Sequence, residues 1–448
     1  MAGLKRLKNH SYFVTATMKL LILTVITGLL PFVAQSQTTS EYAQLMEQSG
    51  AAMQAKNPCA AVGLFQRAFA PDSTQASPFD LFAAAMSAAQ CPAEQQLAWR
   101  WLGQLSRRRP LPMQPRDLDN ILADPGLASL QANKPAWTSW LTAMRAALAE
   151  QAAADRARSA RWLTETQARA RALPASADRK RSKAAPAGFA LCFSQVPGDT
   201  VRVPYLVRVP AGYDPARPAP MVVYLHGGVG STPQFRHGDP DVIKEPIFAA
   251  APPNALVVYP FGRASFGWVA QPAAFAQVAR IVVAVQARYR TNPARTTLVG
   301  MSNGGSAALW FAAQPTTAFS HFVALSPAPV LPLARQNYGA LGKDKPFVLI
   351  SALDDDVYAY AAVRAAYDAH RSGRPRWQFQ TVPKGGHGFL YGPEGVQLLR
   401  QALWVTKQTQ PSGRLPTPPR RAAARLAPVP APRPGPAETP APRSTHSE

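Results

Sequence analysis

The sequence predicts an α/β protein: a mostly parallel β-sheet covered on both faces by helices over residues 187–410, preceded by an all-α region over 37–150. Three observations carry this. Short β-branched runs alternate with helical stretches through the second half of the chain, the rhythm of parallel strands joined by crossover helices. From Glu41 to about Glu150 the composition turns to Ala, Gln and Leu, with apolar residues at helical spacing. A serine framed by glycines, in Gly300-Met301-Ser302-Asn303-Gly304, stands between the strand-like Thr297-Leu298-Val299 and an Ala-rich helical stretch.

The two ends fall outside this folded portion. Lys5, Arg6, Lys8 and Lys19 precede the apolar run Leu20 to Val33, and Ala34-Gln35-Ser36 supplies small residues for cleavage. Residues 1–36 are therefore expected to be an export signal cut after Ser36, with Met18 an alternative start, and the mature chain to be secreted or periplasmic. An apolar run of about 14 residues falls short of the ~20 that cross a bilayer, so no integral membrane anchor is expected. Beyond about Gln410 the chain collapses into Pro, Ala and Arg, and residues 411–448 read as an extended tail without the apolar surface to order itself.

The net charge of +23 is spread unevenly: +4 in residues 1–36, 0 in 37–154, +6 in 155–186, +9 in 187–410 and +4 in 411–448. Much of the excess sits in the ends and a linker, and no aromatic-interleaved basic stripe accompanies it, so no nucleic-acid partner is expected.

Within the all-α region, Ala61, Phe65 and Ala68 are spaced four and three apart, and Ala98, Leu102 and Leu105 repeat that spacing about one helical hairpin later. In this the region resembles tetratricopeptide-type repeats, although the tryptophan, glycine and tyrosine of the first helix in each repeat are not evident; a generic helical bundle is the alternative. By analogy with such repeats, a protein partner could dock there. Cys59 and Cys91 fall at corresponding turns, where they can pair, leaving Cys192 as a buried or free thiol without a catalytic role. Residues 151–186, with Arg156, Arg158, Arg161, Arg169 and Arg171, read as a basic helical linker ending near Pro174 and followed by a flexible hinge.

Strands are expected at Val201 to Val209, Met221 to His226, Ala255 to Tyr259, Thr296 to Met301, Phe319 to Leu325, Phe347 to Ala352 and Trp377 to Val382. Helices are expected at Ala273 to Tyr289, Gly304 to Ala313, Tyr358 to His370 and Gly395 to Val405. In such a sheet the chemistry gathers at the carboxyl ends of the strands.

Ser302 has that position. Its glycines permit a strand-to-helix turn tight enough to lift the hydroxyl clear of the sheet. A serine hydroxyl needs a base, and His387, in Lys384-Gly385-Gly386-His387-Gly388-Phe389 just after a strand, is the candidate. The base needs a carboxylate to fix its tautomer, and Asp354, Asp355 and Asp356 follow the strand ending at Ala352. Leu225-His226-Gly227-Gly228 follows another strand. Backbone N–H groups of Gly228 and Asn303 are the expected oxyanion donors, with His226 ordering the loop. Phe261, Phe266 and Trp268, in the loop after a strand, are candidates for an apolar substrate wall, with core packing the alternative.

With Val209-Pro210 and Tyr213-Asp214, these motifs make the stretch from about Tyr205 to Lys407 resemble the α/β-hydrolase superfamily. The likeness is to its phospholipase/carboxylesterase-like, feruloyl-esterase-like and polyhydroxybutyrate-depolymerase-like branches. The resemblance implies a serine hydrolase cleaving carboxylic esters, small or polymeric, through an acyl-enzyme with the triad in the order Ser, Asp, His. It implies no metal and no cofactor. The aspartate three residues before a valine, habitual in the family, selects Asp354 ahead of Val357, with Asp356 next. Only about 20 residues separate Leu325 from Phe347, too few for a large helical cap, so an open pocket is expected. A peptidase of the prolyl-oligopeptidase type shares triad and fold but needs a propeller, for which no repeats occur. A binding protein with a vestigial hydrolase fold is the remaining alternative.

Overall fold

The computed structural model describes residues 38–408, apart from 72–75, 112, 114, 173–186, 196–197, 199, 270 and 330–344. The expected export signal, the hinge after Pro174, the tail and most of the connection between Leu325 and Phe347 lie outside the described residues.

The all-α region consists of α1 (Thr38–Gln54), α2 (Pro58–Phe69), α3 (Pro78–Ala89), α4 (Gln95–Arg107), α5 (Pro115–Leu122), the single turn α6 (Ala128–Gln131) and the long α7 (Lys134–Arg171). Helix α1 packs on α2, α2 on α3, and α3 on α4. Helix α3 begins at a capping box, in which the Ser77 hydroxyl accepts the Asp80 N–H and the Asp80 carboxylate accepts the Ser77 N–H. The same carboxylate accepts the Tyr42 hydroxyl at 2.7 Å, tying α1 to that cap. Small residues at the helix contacts, Ala61, Ala84, Ala88 and Ala98 among them, are fully enclosed, and Phe65, Phe69 and Trp101 fill the remaining space edge to face. Cys59, in the first turn of α2, is disulfide-bonded to Cys91 before α4, with Cα atoms 5.6 Å apart. Cys192 is buried and free.

Helix α7 crosses the boundary expected near residue 150. Its 38 residues run unbroken from the helical region into the stretch expected to be a spacer. Trp140, Met144, Ala147 and Leu148 lie in the helical core, and the Trp140 indole donates to the Leu102 carbonyl at 3.2 Å. About four turns beyond Leu148, Trp162 and Leu163 pack against the core beneath the sheet. Among the described residues, no helix is long and apolar enough to cross a membrane.

The sheet has eight strands: β1 (Gly188–Ser194), β2 (Val203–Val209), β3 (Ala219–Leu225), β4 (Leu256–Pro260), β5 (Thr291–Met301), β6 (His321–Leu325), β7 (Phe347–Ala352) and β8 (Trp377–Val382), in the order β1-β2-β4-β3-β5-β6-β7-β8. Pairing is antiparallel from β1 to β2 and from β2 to β4, and parallel elsewhere. The interleaved helices are α8 (Pro246–Ala250), α9 (Pro272–Arg288), α10 (Asn303–Ala312), α11 (Tyr360–His370) and α12 (Gly395–Gln408). Strand β1 was not anticipated: its seven residues, Gly-Phe-Ala-Leu-Cys-Phe-Ser, contain none of the β-branched side chains that mark the other strands.

Side-chain alternation divides the strands between two cores. Met221, Val223 and Leu225 of β3 face one core with α9, α10 and α11, while Val222 and Tyr224 face the other with α8, α12 and the end of α7. A sheet buried on both faces explains why its central strands are apolar almost throughout.

The disulfide closes a loop of sequence separation 32, for which chain-entropy reasoning gives a stabilisation of about 3–4 kcal/mol. The double variant Cys59→Ala/Cys91→Ala is expected to unfold at clearly lower denaturant concentration, followed by far-UV circular dichroism; an unchanged midpoint would refute this role for the bond.

Candidate active site

Strand β5 runs straight into α10, and Ser302 occupies the corner between them at φ 54° and ψ −117°. A side chain on the neighbouring glycines is sterically excluded: a Cβ on Gly300 would lie 1.9 Å from the Gly304 carbonyl oxygen, and one on Gly304 would lie 1.9 Å from that of Leu225. The corner is held by backbone bonds, from Ser302 N–H to the Leu325 carbonyl at 2.9 Å and from Ser306 N–H to the Ser302 carbonyl at 2.9 Å. A positive φ on a non-glycine residue, clamped from two sides, is the strain expected of a side chain held out for use.

The loop after β8 carries His387 back over this corner, so that its Nε2 lies 2.8 Å from Ser302 Oγ across 85 residues of sequence. On its other edge His387 Nδ1 lies 3.0 and 3.1 Å from the two carboxylate oxygens of Asp355. The Asp355 side chain is fully enclosed. Its Oδ1 also accepts the backbone N–H groups of Val357 and Tyr358, at 3.0 and 2.8 Å. With the imidazole neutral, Nδ1–H donates to Asp355 and the Nε2 lone pair is left to accept the Ser302 hydroxyl. The Tyr358 ring stands edge-on to His387 at 5.2 Å, restricting its rotation.

Asp354 does not occupy the carboxylate position expected of it, nor does Asp356, which is exposed. At the end of β7 the chain turns through the Asp355 N–H to Ala352 carbonyl bond, and the two bonds Asp355 accepts from its own C-terminal neighbours point that side chain inward. Asp354 stays exposed and accepts the N–H groups of Gly385 and Gly386 at 3.0 and 2.8 Å. These bonds hold its carboxyl below the usual carboxylate range. It anchors the loop that carries His387 without touching the imidazole.

On the opposite side of Ser302, Gly227 lies close enough that a Cβ there would sit 3.1 Å from Ser302 Cβ. Gly228, at φ 66°, opens a short 3₁₀ turn over Val229–Ser231, and its carbonyl accepts the hydroxyls of Ser231 and Thr232, each at 2.9 Å. Asn303 is the first residue of α10, where backbone N–H groups have no partner within the helix. The two expected oxyanion residues thus lie on separate elements, Asn303 directly after Ser302 and Gly228 next to Gly227, which packs against it.

Phe261, Phe266 and Trp268 correct another expectation. They are 2%, 2% and 1% exposed, so they form core, not an open substrate wall. Phe261 packs on Tyr259 and His237, and Phe266 on Phe235. Trp268 braces the turn beside Ser302: its indole N–H donates to the His226 carbonyl at 2.9 Å, and its backbone N–H donates to Asn303 Oδ1 at 3.2 Å. His226 completes the lattice, with Nδ1 2.7 Å from the Gly227 carbonyl and Nε2 accepting the Gly262 N–H at 2.9 Å. Sequence reasoning missed the tie from the 261–268 loop to the glycine turn, because no local pattern marks a tryptophan that donates across 42 residues.

Burial pushes the His226 imidazole down to about 4. Its folded value lies below the ~6.5 of an unfolded chain, so the unfolded state takes the proton first. Stability on this account is fully present above about pH 6.5 and falls as pH drops towards 4, by up to about 3 kcal/mol. His321, buried at the start of β6 and likewise pushed down to about 4, contributes in the same direction. Denaturant unfolding between pH 7 and 4 is expected to show a shallower acid decline in His226→Gln than in the unaltered protein; identical slopes would show that His226 does not titrate with unfolding.

Residues 198–409 match the protein family described as "Putative esterase". Among solved structures, the chain is similar to a thermostable esterase at 20% identity, over 48% of this chain and 62% of that one, with a TM-score of 0.38. It is also similar to esterase 2 of Thermogutta terrifontis at 15% identity, over 49% and 93% of the two chains, with a TM-score of 0.39. The chain thus spans less than two thirds of the length of the thermostable esterase. No curated protein matches it. Over residues 198–409, just under half of its length, the chain is thus similar to this esterase family.

Proposed function

We propose that Ser302 is the nucleophile, His387 the general base and acid, and Asp355 the orienting carboxylate of a serine esterase working through an acyl-enzyme. The reading is carried by one observation, the continuous relay from Ser302 Oγ through both nitrogens of His387 to an enclosed Asp355. Ser302 Oγ attacks the ester carbonyl carbon as its proton passes to His387 Nε2. The carbonyl oxygen takes the negative charge and is received by the N–H groups of Gly228 and Asn303. Collapse of the tetrahedral intermediate breaks the bond to the alcohol oxygen, which leaves with the proton from His387. A water then enters, gives its proton to Nε2 and releases the acid, and Ser302 recovers its hydrogen. Asp355 holds Nδ1 as the donor throughout and stabilises the imidazolium while it exists.

The chain is further proposed to be exported, with residues 1–36 removed. The leader-like composition supports this, and so does the Cys59–Cys91 disulfide, a bond that persists in oxidising compartments. The resemblance of residues 37–150 to tetratricopeptide repeats supports a docking role for the helices, with a protein partner.

A fluorophosphonate probe is expected to label the protein, and Ser302→Ala to abolish labelling and to lower hydrolysis of p-nitrophenyl acetate by more than about 10⁴-fold. Labelling that persists in Ser302→Ala would place the nucleophile elsewhere; an unlabelled, inactive protein would favour a binding role; turnover of peptides but not esters would favour a peptidase.

The two neighbouring aspartates separate cleanly. Asp355→Asn is expected to lower kcat by about 10³–10⁴-fold, through the wrong histidine tautomer. Asp354→Asn should cost less than about tenfold, since it keeps a side-chain oxygen to accept from the loop. The reverse ranking in steady-state kinetics would overturn the assignment of Asp355.

A further inference from the structure

The segment following the glycine turn, residues 232–245, touches the candidate site at both ends. At its start Thr232 donates its hydroxyl to the Gly228 carbonyl at 2.9 Å, and its own carbonyl accepts the Ala264 N–H. At its end the Glu245 carboxylate accepts the Tyr259 hydroxyl at 3.3 Å and the Tyr391 hydroxyl at 3.4 Å. Tyr391 lies four residues beyond His387 and ends the 3₁₀ turn Phe389–Tyr391, its N–H bonded to the Gly388 carbonyl at 2.8 Å. The segment therefore links the turn on one side of Ser302 to the histidine loop on the other.

Its middle is held by helix α7. The Trp162 indole N–H donates to the His237 carbonyl at 3.1 Å, and the Trp162 ring packs on Phe189 of β1 at 5.9 Å. Gly238 lies flush against the helix: a Cβ there would sit 2.8 Å from Ser159 Oγ and 3.7 Å from Leu163 Cδ1. Arg158 pairs with Asp241 at 3.1 Å. Ser159, Trp162, Leu163, Thr166 and Ala170 recur at spacings of three and four, and each is at least half-buried or enclosed, while residues 160, 161, 164, 165 and 168 between them are exposed. Facing away from the helix, the His237 ring packs on Phe193 and Phe261, and Phe235 packs on Phe266 beneath Arg263. The segment is thus sandwiched between α7 and the core under the 261–268 loop.

The geometry points to α7 as a positioning element of the hydrolase site: Trp162, through the His237 carbonyl, fixes the 232–245 segment and with it both the oxyanion turn and the histidine loop. This rests on the reading of Ser302 as nucleophile with Gly228 as oxyanion donor. It makes the last turns of the helical region part of the catalytic apparatus, with no contact to substrate required. Displacing the segment should harm groups used in the transition state more than those used in ground-state binding, so the effect should fall on kcat.

The test compares the full-length protein with Trp162→Ala and Trp162→Phe, using p-nitrophenyl acetate, with rates expressed per site titrated by a fluorophosphonate so that misfolded molecules do not count. Trp162→Ala is expected to lower kcat about tenfold with KM within about twofold, and the labelling rate constant to fall in parallel. Trp162→Phe keeps the ring packing and loses only the N–H donor, so it should fold and show a kcat drop of about threefold. Rates per titrated site that match the unaltered protein in both variants, or a change confined to KM, would overturn the proposal. An unaltered protein that is neither labelled nor active would instead sink the underlying reading of Ser302.

Discussion

The backbone at Ser302 is the constraint on which the rest of the site depends. A non-glycine residue at φ 54° costs about 1–3 kcal/mol, and it persists here because three strands hold the corner. Strand β5 delivers the chain, the Leu325 carbonyl at the end of β6 takes the Ser302 N–H, and the end of β3 presses against Gly304 with no room for a methyl group. Because β3 and β6 flank β5 in the sheet, the register of three parallel strands decides whether the hydroxyl stands clear of the sheet. The histidine and its carboxylate then need only loops that reach this point.

The glycine turn after β3 has no sheet to hold it and is secured by buried polar contacts. His226, Trp268, Gly262 and Asn303 form a lattice in which donors and acceptors are matched across the loops after β3, β4 and β5. In a water-poor setting each such bond is strong, and each lost partner leaves an unsatisfied group. An aromatic cluster of Tyr224, Tyr259 and Phe248 stacks beneath it, so the turn is stiff on its inner side.

What could be read from the sequence follows the range of the physics involved. The serine corner was legible because strand, glycines and helix are contiguous, and His387 because glycines flank it directly. Strands β7 and β8 were legible to the residue, β7 as a bounded, mostly apolar run and β8 as an alternation of aromatic or β-branched with polar side chains. The choice among three successive aspartates was not legible: it depends on which one accepts the N–H groups of Val357 and Tyr358, a matter of one turn's geometry that composition does not encode. Phe261, Phe266 and Trp268 look alike in sequence whether they line a pocket or fill a core. The packing of the long helix's second half was not legible for a related reason. Its second half is rich in Arg and Ala, as spacers are, and the few residues that bury themselves are spread too thinly to outweigh that composition.

That helix belongs to two apolar interiors at once, with Trp140 and Met144 in one and Trp162 and Leu163 in the other. A rigid rod shared in this way transmits order: fraying at its first turns loosens the packing beneath β1, and loss of the sheet leaves the rod's last turns wet. The two regions are consequently coupled through one helix, and each loses packing when α7 is displaced. For inheritance the same sharing means that neither half can be traded for a foreign module without carrying α7 along with it.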